Sequence, residues 1–284
     1  MKLSKIFALL LALCLISSAA CAATFTDAHG NVIELDDSLE AYAAVTLVGA
    51  DNAARQGETN LGDLWADALR WFAVSGEINA AFDEDDVKAG NDRIAVDADH
   101  VVALWNGGNL RADIAEGTFG AEALAEVLPF PNKVAVVYMT GAQLLETLEA
   151  ASQGLPYTAE TADACASLMQ VSGLTYTVDT AKAYDALEAY GDHWFTAGSV
   201  SRVRIDDVNG QPFDAEATYA VVTSNANFNG MDSSYVLRAA AEANEQSAVT
   251  TAVVRDVVFR FIAAELNHQV GEAYAAPQGR LTVL

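Results

Sequence analysis

Four stretches of the chain carry side chains suited to holding a small molecule. In "WNGGNLRADI" (105–114), Asn106, Gly107, Gly108 and Arg111 follow directly on an apolar run, VVAL. Glycines at a strand end let the backbone approach a ligand closely. An arginine beside them can clamp a phosphate or carboxylate through its two-pronged guanidinium. "ARQGETNLGDLWADAL" sets Arg55 ahead of a helical pattern that starts near Asn60. "LPFPN" offers Phe130 and Asn132, and "TSNANFNGMDSSY" is a turn-rich run with Asn225, Phe228, Asp232 and Tyr235. Taken singly, each has a plainer account. The glycines make a tight turn, Asn109 continues it because asparagine tolerates the left-handed region, and Arg111 pairs with one of many acids.

These residues need elements to position them, and the pattern supplies several. "HVVALWN" and "KVAVVYM" read as buried strands, and "GLTYTVDT", "VSRVRIDDV", "ATYAVVTSN" and "GRLTVL" as further strands. "AVTLVGA" reads as a first strand. Leu61, Leu64, Trp65, Ala68, Leu69 and Phe72 recur at helical spacing, with Asn60 as the expected cap, Asp63 as its reciprocal acid and Gly76 as the stop. "FGAEALAEVLP" is a short helix ended by Pro129, and "TGAQLLETLEAASQG" is one started at Thr140. "VTTAVVRDVVFRFIAAELNHQV" reads as a last helix, and "DALEAYGDHWFTAG" as an exposed loop. Helices and strands mix without a regular βαβ beat. The fold class expected is therefore α+β, with mixed β-sheets and packed helices.

Composition narrows the function classes. A 52% hydrophobic and 19% charged chain of 284 residues can build a large core. Its formal charge of −24 disfavours nucleic acid and anionic lipid as partners. Residues 1–23, with Lys2, Lys5, an apolar run and then small residues, read as a signal peptide cleaved near Ala22 or Ala23. Cys21 offers lipid attachment as the alternative, but Ser18 is not the large apolar residue expected upstream of it. A polar segment at 24–43 and one domain at 44–284 follow. No later stretch is apolar enough for a membrane span, so a secreted, periplasmic or cell-surface location is expected. Cys165 has no partner for a disulfide once Cys14 and Cys21 leave with the signal, and reads as a buried small hydrophobe.

In this order, "ETNLGDLWADAL", "WNGGNLRADI", "LPFPNKVAVVYMTGAQLLETLE", "MQVSGLTYTVD" and "YAVVTSN" resemble the C-terminal, substrate-binding domain of the secreted 5'-nucleotidases, the family that includes the periplasmic UDP-sugar hydrolase. The resemblance runs from about Ala44 to the end. It implies a nucleoside or nucleotide ligand, with Phe130 as one of two rings that sandwich the base and Asn132 reading its edge. It implies Arg55 and Arg111 on the phosphate, and Asp232 on the nucleoside. The family's "GGGIR" stands here as "GGNLR", and its "GGDGY" as "GMDSSY". The second stacking ring of the family falls at Ala226. Either Phe228 supplies that ring from two residues on, or the sandwich is half built.

Hydrolysis in that family belongs to a separate metallophosphatase domain with two metals, which need clustered aspartates, histidines and an asparagine. His29, His100, His193 and His268 are widely spaced and form no ligand motif. Glu58, Asp63 and Asp67 near a helix start are explained by solvation and the helix dipole. No catalytic residue, metal or cofactor is therefore expected in these residues. The leading expectation is a nucleotide- or nucleoside-binding module, non-catalytic alone, that works with a separate metallophosphatase chain. A nucleotide phosphohydrolase, intrinsic or completed by a partner, is the alternative. A degenerate scaffold is the third reading.

Overall fold

The computed structural model describes residues 22–26, 32–36, 40–82, 94, 96–188, 195–197 and 199–284. The reading of residues 1–21, with Cys21, and those of His29 and His193 lie outside them. Strands β1 (Ala22–Thr26) and β2 (Val32–Asp36) pair antiparallel, and β3 is Glu40–Ala43. There follow α1 (Ala53–Gln56), α2 (Asn60–Val74), β4 (Val101–Asn106), β5 (Gly117–Gly120), α3 (Ala121–Val127), β6 (Lys133–Thr140) and α4 (Gly141–Ala151). Next come β7 (Met169–Ser172), β8 (Leu174–Val178), β9 (Ala186–Glu188), β10 (Phe195–Ala197), β11 (Val203–Val208) and β12 (Thr218–Ser224). The chain then forms α5 (Asn225–Phe228), α6 (Tyr235–Ala243), β13 (Ala248–Val253), α7 (Val254–Ala264), β14 (Gln269–Val270) and β15 (Leu281–Val283).

A mixed five-stranded sheet, ordered β13-β6-β12-β4-β7, forms the centre. Only β12 and β4 run parallel within it. The continuous apolar runs in the sequence follow from burial on both faces of this sheet. Strand alternation sends Val101, Ala103, Trp105, Val134, Val136, Tyr138, Ala220 and Val222 to one core. There they meet the predicted face of α2, whose Leu61, Leu64, Trp65, Ala68, Leu69 and Phe72 have no solvent exposure. Val102, Leu104, Val137, Met139, Tyr219 and Val221 go to the other core, with α4, α6, β8 and β11. A fully buried Leu or Phe of this kind is worth about 2 kcal/mol.

Two further three-stranded sheets, β14-β3-β5 and β11-β8-β15, complete the α+β fold. Thr140 caps α4 as read from the sequence, in a reciprocal box with Gln143. Elsewhere tertiary contacts overrule local pattern. Residues 44–50 make only one isolated bridge, Leu47 to Ile114, while the strand is β3, paired with β5 and β14. The helix expected over 249–270 begins at Val254. The β-branched run before it pairs with β6. In the segment expected to be an exposed loop, β9 and β10 pair antiparallel. The turn-rich run after β12 contains α5, and Tyr235 opens a helix that the sequence reading did not include.

The start of α2 also differs. Its cap is Thr59, whose hydroxyl accepts from Gly62 N at 3.0 Å. Asn60 is the first helical residue, and its amide ties together Val48 N, Thr46 O and Tyr274 O. Asp63 and Asp67 are not explained by solvation. Asp63 is fully buried, accepts from Gln278 N, and lies 3.9 Å from Arg280. Asp67 takes Arg280 Nη1 at 2.8 Å and the Tyr274 hydroxyl at 2.9 Å. Burial, and then the Glu58 carboxylate, push the Asp63 carboxyl up to about 8. These acids anchor the segment before β15 to the first two turns of α2.

Candidate functional site

The parallel strands β4 and β12 end side by side, at Asn106 and Ser224, next to the start of the antiparallel β6. Carboxyl ends of parallel strands are where an open sheet leaves a crevice. Four loops meet here through specific hydrogen bonds. Arg111 N donates to Val127 O at 3.0 Å, which joins the β4 loop to the end of α3. Gly107 N donates to Leu168 O at 2.7 Å. Lys133 N donates to Asn225 Oδ1 at 3.0 Å, which joins the "LPFPN" segment to α5. Ser224 caps α5 through Asn227 N, and Asn227 Nδ2 reaches Ser234 Oγ at 2.9 Å.

At this junction the structure brings together Arg55, Asn106, Arg111, Phe130 and Asp232. Asn106 Nδ2 donates to Asp232 Oδ2 at 2.7 Å. Burial pushes the Asp232 carboxyl above its ordinary range, with the charges of Arg55 and Arg111 pulling the other way. Arg111 Nε donates to Gly108 O, and its guanidinium lies over the Phe130 ring, 5.6 Å from the centroid. Arg111 is in no ion pair among the described residues, contrary to the plainer account of a surface charge paired with an acid. Arg55 sits at the end of the one-turn α1, and its Nη1 donates to Ala162 O at 2.9 Å, with Asp163 at 3.8 Å.

Phe130 is 42% exposed and Met231 51%, two of the few large apolar side chains left in solvent among the described residues. Asn132 is buried, and its carbonyl accepts from Val254 N at 2.9 Å. Phe228 is half-buried and packs against the core that contains α4 and α6. No ring contact joins it to Phe130 among the described residues. Asp232 and Ser233 hold φ of 50° and 59°, a left-handed pair without glycine. Ser233 is held by a hydrogen bond from Gln153 Nε2.

Gly107 and Gly108 are required by packing. A Cβ on Gly107 would sit 1.9 Å from Ala54 O, and one on Gly108 would sit 2.6 Å from Ala166 Cβ. Close approach of α1 and the loop before β7, rather than of a ligand, accounts for both. Asn109 does not continue a left-handed turn either. It closes a 3-10 turn over 107–109, is buried, and donates its side-chain amide to Asn106 Oδ1 at 2.8 Å. Sequence reasoning did not place it in the site. The signal was available, because an asparagine stands there where "GGGIR" has glycine.

Among the described residues no group of three or more His, Cys, Asp or Glu side chains is placed to hold a metal ion. No described helix is long and apolar enough to cross a membrane. Cys165 is buried, and burial raises its thiol.

This architecture matches a known domain class. The family model of the 5'-nucleotidase, C-terminal domain, matches residues 40–239, and the chain belongs to that family. Among solved structures it is similar to the 5'-nucleotidase precursor of Thermus thermophilus, with TM-score 0.62 and 28% identity over 86% of this chain and 39% of that one. The NAD nucleotidase of Haemophilus influenzae shares the fold, with TM-score 0.57 and 14% identity over 92% of this chain and 48% of the other. The trifunctional nucleotide phosphoesterase protein YfkN of Bacillus subtilis (strain 168) is 28% identical over 188 residues. The chain spans a tenth of YfkN's length and 39% of the Thermus protein's.

Proposed function

We propose that this chain is a nucleotide- or nucleoside-binding module that presents a ligand and leaves any hydrolysis to a separate metallophosphatase chain. The observation that carries the reading is the cluster at the ends of β4 and β12. The charges of two guanidinium groups, Arg55 and Arg111, act on the partly buried Asp232 carboxyl, and the Phe130 ring stands exposed beside Arg111. Such a set offers cations for a phosphate, an acceptor for a hydroxyl donor, and an apolar plane for a base. Asn132 is assigned to the base side of the site; Phe228 packs on the second core without a ring contact to Phe130 among the described residues, which favours a half-built sandwich. A secreted or periplasmic setting accords with the acidic surface and the signal-like start.

Calorimetric titration with adenosine, AMP and UDP-glucose tests this. Micromolar to low-millimolar binding of at least one is expected. No binding of any at millimolar concentration sinks the nucleotide reading. Phosphate release from AMP by the purified protein with Mn²⁺ or Zn²⁺, abolished by EDTA, would replace it with hydrolysis by the chain itself.

A further inference from the structure

With Asp232 ionised, the link between Asn109, Asn106 and Asp232 has only one consistent polarity. Asn106 Nδ2 faces two acceptors, Asp232 Oδ2 at 2.7 Å and Ala166 O at 3.4 Å. Its Oδ1 must then take a donor, and Asn109 Nδ2 supplies it at 2.8 Å. Asn106 has no solvent exposure and Asn109 has 7%, so water does not readily substitute for either bond. Turning the Asn106 amide over would set oxygen against oxygen at Asp232 and lose both hydrogen bonds. Asp232 needs this restraint. It sits on a left-handed backbone, φ 50°, in a loop whose other ties, Gln153 to Ser233 and Asn227 to Ser234, hold its neighbours and not its carboxylate.

We infer that Asn109 is a positioning residue. Through Asn106 it fixes which carboxylate oxygen of Asp232 is consumed within the protein, leaving Oδ1 to accept a hydroxyl from the ligand. The hydroxyl discrimination of the site thus originates two side chains behind the group that touches the ligand. This rests on the nucleoside-binding reading above, and extends it to a residue where the family motif carries glycine.

Two variants test it, Asn109→Ala and the near-isosteric Asn109→Leu, neither of which can donate to Asn106 Oδ1. In the intact chain, wild type is expected to prefer adenosine over 2',3'-dideoxyadenosine by about tenfold or more, the usual scale for a hydrogen bond to a charged acceptor. In both variants that ratio should fall to about twofold, while inorganic phosphate affinity, which depends on the arginines, stays unchanged. In an Asp232→Asn background, substituting Asn109 should add no further loss. The Asp232 carboxyl, followed by ¹³C NMR titration, should move further up when Asn109 is replaced, because it loses a donor that favours its charged form. An unchanged ratio with an unchanged titration overturns the proposal, and so does an equal loss of phosphate binding, which marks general collapse. If wild type fails to bind adenosine, the nucleoside reading fails separately, and the Asp232 titration alone decides whether Asn109 positions the carboxylate.

Discussion

Replacing Asp63 by asparagine should stabilise the protein, and more so as the pH rises. The carboxyl is fully buried, its partners include the Glu58 carboxylate, and its folded value is about 8 against an ordinary 3.8. The folded state therefore holds a proton that the unfolded chain releases between these two values. Stability from this group is complete below about pH 4 and is lost as pH rises towards 8. At pH 7 the loss amounts to about 4 kcal/mol, and at pH 5 to under about 2 kcal/mol. The substituted side chain would be neutral at every pH. Its amide can donate to Glu58 and its oxygen can still accept from Gln278 N, although the attraction to Arg280 is weakened. A net gain of about 2–3 kcal/mol at pH 7, shrinking towards zero near pH 4, is expected. Urea unfolding followed by tryptophan fluorescence from pH 4 to 8 measures it. If wild type and Asp63→Asn show parallel stability–pH curves, or if the variant is weaker at pH 7, the buried proton on Asp63 is not there and the reasoning fails.

Removing the Phe130 ring by Phe130→Ala should cost about 1–3 kcal/mol of adenosine binding with little change in folding, because the ring is exposed; calorimetry and a melting curve separate the two. Arg111→Ala should weaken AMP more than adenosine, and equal losses for both would place Arg111 away from the phosphate. Gly107→Ala should destabilise by about 2 kcal/mol or more, since its Cβ cannot share space with Ala54 O, and a normal denaturation midpoint would contradict that contact. Glu149→Ala should cost about 3 kcal/mol or more, because its buried carboxylate accepts from Arg202 N and Val203 N; unfolding measurements read this directly.

Much of this fold could be read from residue pattern. The runs VVALWN and KVAVVYM alternate between two cores, and the apolar face of α2 was legible residue by residue. The Thr140 cap was legible because its partner, Gln143, lies one turn away. Motif order identified the domain, and with it the loops that carry Arg55, Arg111, Phe130 and Asp232. Such features depend on neighbours within a few residues, where periodicity and capping chemistry act.

The tertiary structure decided the rest, because the deciding partners are distant along the chain. Asp63 became a buried acid only when Gln278 and Arg280 folded over it, 215 and 217 residues on in the sequence. Val249 and its neighbours became a strand because the edge of β6 was there to pair with. Gly107 and Gly108 proved to be spacers for α1 and the loop before β7. Asn109, which on its own looked like one more turn residue, acquired its meaning from Asn106, which reaches Asp232 across 126 residues. The sequence alone determined the family and those elements whose signals are local. Which polar atoms meet at the ends of β4 and β12 was set by long-range packing, which no local pattern encodes.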